Sequence, residues 1–127
     1  MAEAVLDASA VLALLRREPG YERVQAVLPY SLISAVNLAE VVGKLIQRGA
    51  DPEGAAEAVE VLPFEVVPLD ESLAIRAGAL WSETRAGGLS LGDRACVALA
   101  QAEGLPAYTT DRSWSKIATN VEVHLIR

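Results

Sequence analysis

Apolar positions along this chain follow two rhythms: short uninterrupted runs, and longer stretches in which they recur at helical spacing. Ala4-Val5-Leu6 reads as a buried strand, followed by a helix from about Ser9 to Arg17 with Val11, Leu12, Leu14 and Leu15 facing inward. Pro19-Gly20 breaks it, and Tyr21 to Leu28 forms a second helix. Leu32-Ile33 is a short strand, after which Ser34 caps a long helix to Arg48, stopped by Gly49. Asp51-Pro52-Glu53 starts a further helix that ends near Leu62-Pro63, and Phe64 to Val67 is a strand. Asp70 caps a helix predicted to run through Leu73, Ala77, Leu80 and Trp81 as far as Gly87-Gly88. Ser90 opens a very apolar helix that Gly104 closes, and strands follow at Ala107–Thr110 and Val121–Ile126. Strands that alternate with helices and are apolar on both faces predict a parallel sheet covered on both sides, an α/β fold.

Composition narrows this picture without redirecting it. A chain of 127 residues, 52% of them apolar, predicts a single domain over residues 1–127 with a substantial core. Apolar stretches are interrupted by charge before they reach membrane-spanning length. Met1 leads directly into Ala2-Glu3-Ala4-Val5-Leu6-Asp7, with neither a basic start nor a cleavage site, so the expected location is the cytoplasm. Cys96 is the only cysteine, which excludes an internal disulfide and a cysteine-rich zinc site. The net charge of −6 argues against a protein that holds nucleic acid by bulk attraction. That objection weakens where carboxylates surround a cation, because the ion neutralises them.

The candidate chemistry lies in the acids. In α/β sheets, ligands collect beyond the carboxyl ends of the strands. Of five aspartates, Asp51 and Asp70 are explained as helix caps. Asp7 follows the first strand, Asp111 follows the strand ending at Thr110, and Asp93 lies in the first turn of an apolar helix. Glu40 stands one turn beyond Asn37, beside the apolar stripe of its helix. Each acid also has an ordinary structural reading. Asp7 suits a helix cap, Asp93 a capping box with Ser90, Asp111 a turn, and Glu40 a solvated helix face. Convergence favours function, since clustered carboxylates raise one another's pKa unless a cation sits among them. Oxygen-only ligands of this kind suit Mg²⁺ or Mn²⁺.

Asp7-Ala8-Ser9, Asn37-x-x-Glu40, Ser90-x-x-Asp93 and Thr109-Thr110-Asp111-Arg112 together resemble the PIN-domain signature in its VapC toxin form, in order and spacing across the whole chain. The resemblance implies a three-layer α/β/α sandwich with a central parallel sheet and an acidic pocket for one or two divalent cations. It implies an endoribonuclease, the toxin of a toxin–antitoxin pair, with a small antitoxin as partner, a homodimeric state, and transfer or ribosomal RNA as substrate. Carried over by position, Asp7, Glu40, Asp93 and Asp111 are the expected catalytic, metal-site carboxylates, with Ser9, Asn37 and Thr109 as polar neighbours orienting them. Family members often carry a further acid soon after the fourth carboxylate. Here those positions are Ser113, Trp114 and Ser115, a departure that bears on a second ion.

No side chain is a convincing nucleophile, so water is the expected attacker, leaving a 5′-phosphate and a 3′-hydroxyl. Arg94, Arg112 and Lys116 are candidates for gripping the RNA backbone, against an equal expectation of ordinary surface charge. His124, Cys96 and Trp81 read as structural, and Trp114 as a cover over the end of the core. An aspartyl phosphatase needs a second Asp two residues after the first, where this chain has Ser9. A Mg²⁺-binding receiver domain needs paired acids at the first strand, but Leu6 precedes Asp7. A PIN-like module that only binds RNA or protein is the remaining alternative.

Overall fold

Parallel strands buried on both faces have to be short and apolar throughout, and the five observed here obey that rule more strictly towards the centre of the sheet. The structure is a computed structural model describing residues 1–116 and 120–127, and of these all side chains but Ala86 and Lys116. Its strands are β1 (Ala4–Leu6), β2 (Ser31–Ser34), β3 (Glu65–Val67), β4 (Ala107–Thr109) and β5 (Val123–Leu125). They form one parallel sheet in the order β3-β2-β1-β4-β5, with Leu6 of β1 opposite Ile33 on one side and Tyr108 on the other. Central β1 is wholly buried, whereas edge strand β3 exposes Glu65 and Val66, and its charge guards an unpaired edge.

The helices are α1 (Ala8–Arg16), α2 (Tyr21–Val27), α3 (Ala35–Gln47), α4 (Pro52–Glu60), α5 (Glu71–Ala79), α6 (Trp81–Thr84) and α7 (Leu91–Glu103). Alternation along β1 and β2 divides the core. Leu6 and Ile33 pack with Val11, Val24, Val41 and Val59 of α1 to α4. Val5 and Leu32 pack with Ala77 of α5 and Cys96 to Ala100 of α7. The result is the three-layer sandwich expected from the resemblance. Among the described residues, no helix is long and apolar enough to cross a membrane.

Local capping chemistry explains why most helices begin where they were expected. Ser34 accepts from Val36 N at 3.2 Å, Asp51 from Gly54 N at 2.7 Å and Asp70 from Leu73 N at 2.9 Å. The prediction fails after α5. Where one helix was expected up to Gly87-Gly88, the chain leaves the helix at Leu80, resumes as α6, and finishes in a tight 3-10 turn over Arg85–Gly87. Buried Thr84 donates its hydroxyl to Leu80 O at 2.8 Å, the back-bond to residue i−4 that bends helices. The break keeps Leu80 and Thr84 inside and turns Trp81 outward, 54% exposed, so of the two structural roles expected of Trp81, core or subunit packing, the core role is corrected. Trp114 is 2% exposed and belongs to the core. His124 lies against the Tyr108 ring at 4.7 Å and meets Glu122 at 3.3 Å, and Cys96 is fully buried.

Candidate active site

Strand order decides where a site can form. From β1 the chain runs outward through β2 and β3, then returns to lay β4 on β1's other side. The carboxyl ends of β1 and β4 therefore flank a topological switch point, the place where open α/β sheets leave a crevice. Asp7 follows β1 there, and Asp111 lies just beyond the end of β4.

Asp7 occupies the cap position of α1 without capping it. Its side chain turns instead to a hydroxyl cluster. Oδ2 accepts from Ser9 Oγ at 2.7 Å and from Thr109 Oγ1 at 2.9 Å, and the two hydroxyls are 3.2 Å apart. Ser9 Oγ also accepts from Thr110 N at 3.0 Å, and Thr109 Oγ1 from Asp111 N at 3.1 Å. Asp111 Oδ1 in turn accepts from Ser113 N at 2.9 Å and Ser113 Oγ at 2.7 Å. Two hydroxyls, of Ser9 and Thr109, thus stitch the ends of β1 and β4 together, and a third, of Ser113, helps fix the Asp111 carboxylate.

The other two acids ride on helices. Asn37 is fully buried, and its Nδ2 donates to Glu40 Oε1 and to Gly92 O, both at 2.9 Å, tying α3 to the start of α7. Asn37 Oδ1 is buried without a partner among the described residues. Asp93 completes a capping box with Ser90: Asp93 Oδ2 accepts from Ser90 N at 3.0 Å, and Ser90 Oγ accepts from Asp93 N at 3.2 Å. The ordinary structural role expected of Asp93 is therefore present, and it occupies only one of the two carboxylate oxygens.

The acids sense each other. Burial, at 4% exposure, pushes the Asp7 carboxyl up to about 6; Ser9 and Thr109 restrain the rise, while the charges of Asp93 and Glu40 add to it. Asp93 is raised by burial, against the pull of Ser90, with a further rise from Asp111. Below them, burial holds the Cys96 thiol well above its usual range, and the charges of Asp7, Asp93 and Glu40 reinforce it. The four predicted carboxylates are thus linked pairwise, Asp7 to Glu40 and Asp93, and Asp93 to Asp111. Among the described residues, however, no three acids converge closely enough to form a complete cage for a metal ion. Nor do these acids line a groove of about 300 Å³ that lies at the opposite, amino end of the sheet between Tyr30 and Phe64. Strand topology, not cavity size, marks the site.

The basic candidates separate. Arg112 is exposed. Arg94 turns into the scaffold, donating Nη1 to Ala77 O at 3.1 Å with Nε buried, so its side chain braces α7 against α5. The Lys116 side chain lies outside the described residues. Two contributors escaped the sequence reading. Ser113 holds Asp111, for which the Asp-x-Ser spacing was an available signal. Gly92 abuts the Glu40 carboxylate, a contact between helices that no local pattern announces.

A family model of the PIN domain matches residues 4–120. The chain belongs to the PIN-domain family. Several solved structures align along nearly the full length. A toxin–antitoxin complex from Klebsiella pneumoniae aligns at 21% identity and TM-score 0.77, covering 98% of each chain. A DNA-bound VapBC from Salmonella typhimurium aligns at 21% identity and TM-score 0.75, again over 98% of each chain. VapC20 of Mycobacterium tuberculosis, described as a sarcin-ricin-loop-cleaving toxin, aligns at 21% identity and TM-score 0.75, covering 94% of this chain and 99% of that one. A comparison against curated protein sequences returned no match. At these identities the likeness to solved structures is a likeness of fold, and it extends over nearly the whole of this PIN domain.

Proposed function

We propose that this PIN domain, as a single unit over residues 1–127, is a divalent-metal-dependent endoribonuclease and the toxin of a toxin–antitoxin pair. One observation carries the reading. Each of the four carboxylates commits one oxygen to donors of its own fold and leaves the other without a protein donor among the described residues. The committed atoms are Asp7 Oδ2, Glu40 Oε1, Asp93 Oδ2 and Asp111 Oδ1. Acids that served only as caps and turns would have no reason to stand where, as for Asp7 and Asp93, neighbouring carboxylates oppose their ionisation.

This donor set fits a hard cation. Mg²⁺ keeps several waters and takes only one or two carboxylates directly, so an incomplete protein cage is the arrangement it uses. Asp7, Glu40, Asp93 and Asp111 would hold Mg²⁺ or Mn²⁺ directly or through water, and Ser9, Asn37 and Thr109 would keep those carboxylates aimed. Such an ion supplies Lewis acidity, which makes water a competent nucleophile near neutral pH and offsets charge building on the phosphate. The chain's own part is to fix the acids, bind the phosphate backbone with Arg112, and present a scissile bond to water. Hydrolysis then leaves a 5′-phosphate and a 3′-hydroxyl.

The toxin assignment draws support from the fold, which this chain shares along its length with toxin–antitoxin proteins. A small antitoxin, a homodimer, a transfer or ribosomal RNA substrate and a cytoplasmic location belong to the same proposal. Expression of the wild type and Asp7→Asn in bacteria, with RNA ends mapped across the transcriptome, tests it. Discrete new 5′-phosphate ends are expected only with the wild type. Identical profiles at equal protein levels would overturn the catalytic reading, and 2′,3′-cyclic phosphate ends would overturn the water mechanism.

A further inference from the structure

Gly92 occupies a position where glycine is a poor choice for the fold itself. It is the second residue of α7, buried, and its φ lies outside the left-handed region. A helical glycine of ordinary φ loses stability relative to alanine, because the unfolded chain has more freedom to surrender. The reason for its presence is visible across the gap to α3. A Cβ built on Gly92 would fall 2.2 Å from Glu40 Oε2, 2.4 Å from Oε1 and 2.5 Å from Cδ, with no other atom as near. The obstruction is therefore the far end of one side chain and not the backbone. Asn37 fixes that end in place, bridging Glu40 Oε1 and Gly92 O with two bonds of 2.9 Å. A flipped Asn37 amide would set its oxygen against a carboxylate and a carbonyl, two acceptors, so the bridge has one workable orientation.

We propose that Gly92 is a positioning residue: the space left by its missing side chain seats the Glu40 carboxylate, which Asn37 clamps there. The inference rests on the metal-dependent reading of the acidic site. It separates two properties that usually fall together. An added methyl at position 92 pushes Glu40 aside at little cost to packing, because a long side chain can swing away. The fold is kept or strengthened while the acid leaves its place.

The test uses the full chain as wild type, Gly92→Ala, Glu40→Gln and the double variant. Thermal unfolding is followed in EDTA, and Mn²⁺ binding by the paramagnetic resonance signal of the free ion. The Gly92→Ala midpoint should match the wild type or exceed it by up to about 4 °C. Its Mn²⁺ affinity should fall about 10- to 100-fold, the range seen when a group orienting a ligand is lost. In the Glu40→Gln background the same alanine should weaken Mn²⁺ no further, since Gly92 acts only through Glu40. The proposal is overturned if Gly92→Ala binds Mn²⁺ like the wild type, if its midpoint drops by several degrees, or if its effect persists undiminished with Gln at position 40. Should the wild type itself bind no Mn²⁺, the metal reading falls, and the seat is decided by the Asn37 side-chain amide resonances of the metal-free protein. Those signals shift in Gly92→Ala if the carboxylate has left, and unshifted signals overturn the seat.

Discussion

The two halves of the acidic site are built by opposite means. Asp7 and Asp111 stand at strand ends and are secured by hydroxyls, with Thr109 reaching Asp7 from a position 102 residues away in sequence. Glu40 and Asp93 stand on helices and are secured chiefly by neighbours three residues back, Asn37 and Ser90. The strand-end half depends on the sheet being assembled in register. The helix half is largely self-organising, and a hydrogen bond from Asn37 to Gly92 O ties its two helices to each other. A site divided this way concentrates its long-range dependence in a few hydroxyls, so those hydroxyls should matter more to activity than their size suggests.

The largest effect is expected at Asp7. Asp7→Asn should lower RNA cleavage by about 10³-fold or more, since a neutral amide there cannot offset a cation. It should at the same time relieve the fold. The Asp7 carboxyl titrates near 6 in the folded protein, above its ordinary value of 3.8. Between those two values the folded state holds a proton that the unfolded state has released, so stability falls as pH rises through this window. The drop is on the order of 2–3 kcal/mol for this one group. Asp93, also raised, adds to it in the same direction. Urea midpoints of metal-free protein at pH 4 and pH 7.5 should show the wild type losing stability at the higher pH and Asp7→Asn losing clearly less. Equal losses in the two proteins would mean that Asp7 carries no buried charge.

Next in size is the contrast between hydroxyl and amide. Thr109→Val removes the bond to Asp7 and the acceptor for Asp111 N together, and should cost about 10- to 100-fold in cleavage rate. Asn37→Ala disturbs Glu40 alone among the acids and should cost less than Thr109→Val. The reverse ranking, in cleavage assays matched for folded protein, would break the division proposed between the halves.

The smallest effects should separate the two arginines. Arg112→Ala should weaken RNA binding a few-fold and reduce the slope of log affinity against log salt by about 1. Arg94→Ala should leave that slope alone and instead lower stability by about 1–2 kcal/mol, because its guanidinium donates to Ala77 O beside the core. A change of salt slope in Arg94→Ala would return that residue to the RNA-facing surface.

What could be read from the sequence follows the same divide. Helix starts at Ser34, Asp51, Asp70 and Ser90 were legible because caps act within three residues, and the central strand β1 because burial on both faces leaves an unbroken apolar run. Asp7 and Asp111 were expected just past the ends of two strands, and the strand order sets those strands side by side; Glu40 and Asp93 were grouped with them only through the resemblance of their motifs. The break at Leu80 was not legible, since the apolar spacing of Leu73, Ala77, Leu80 and Trp81 suits an unbroken helix and the bend depends on where the Thr84 hydroxyl finds an acceptor. Nor were the inward turn of Arg94 and the seat at Gly92, which exist only once α7 has met α5 and α3. Contacts between elements distant in sequence leave no local trace.

The placement of the fourth acid has a consequence for the cell that makes this protein. Asp111 follows β4, and that strand can join the sheet beside β1 only after α7 has been synthesised. A polypeptide still emerging from the ribosome holds Asp7, Glu40 and Asp93 but lacks the strand that aligns them. Any chemistry that needs all four acids together has to wait for β4, because no earlier segment of the chain brings Asp111 to the end of β1.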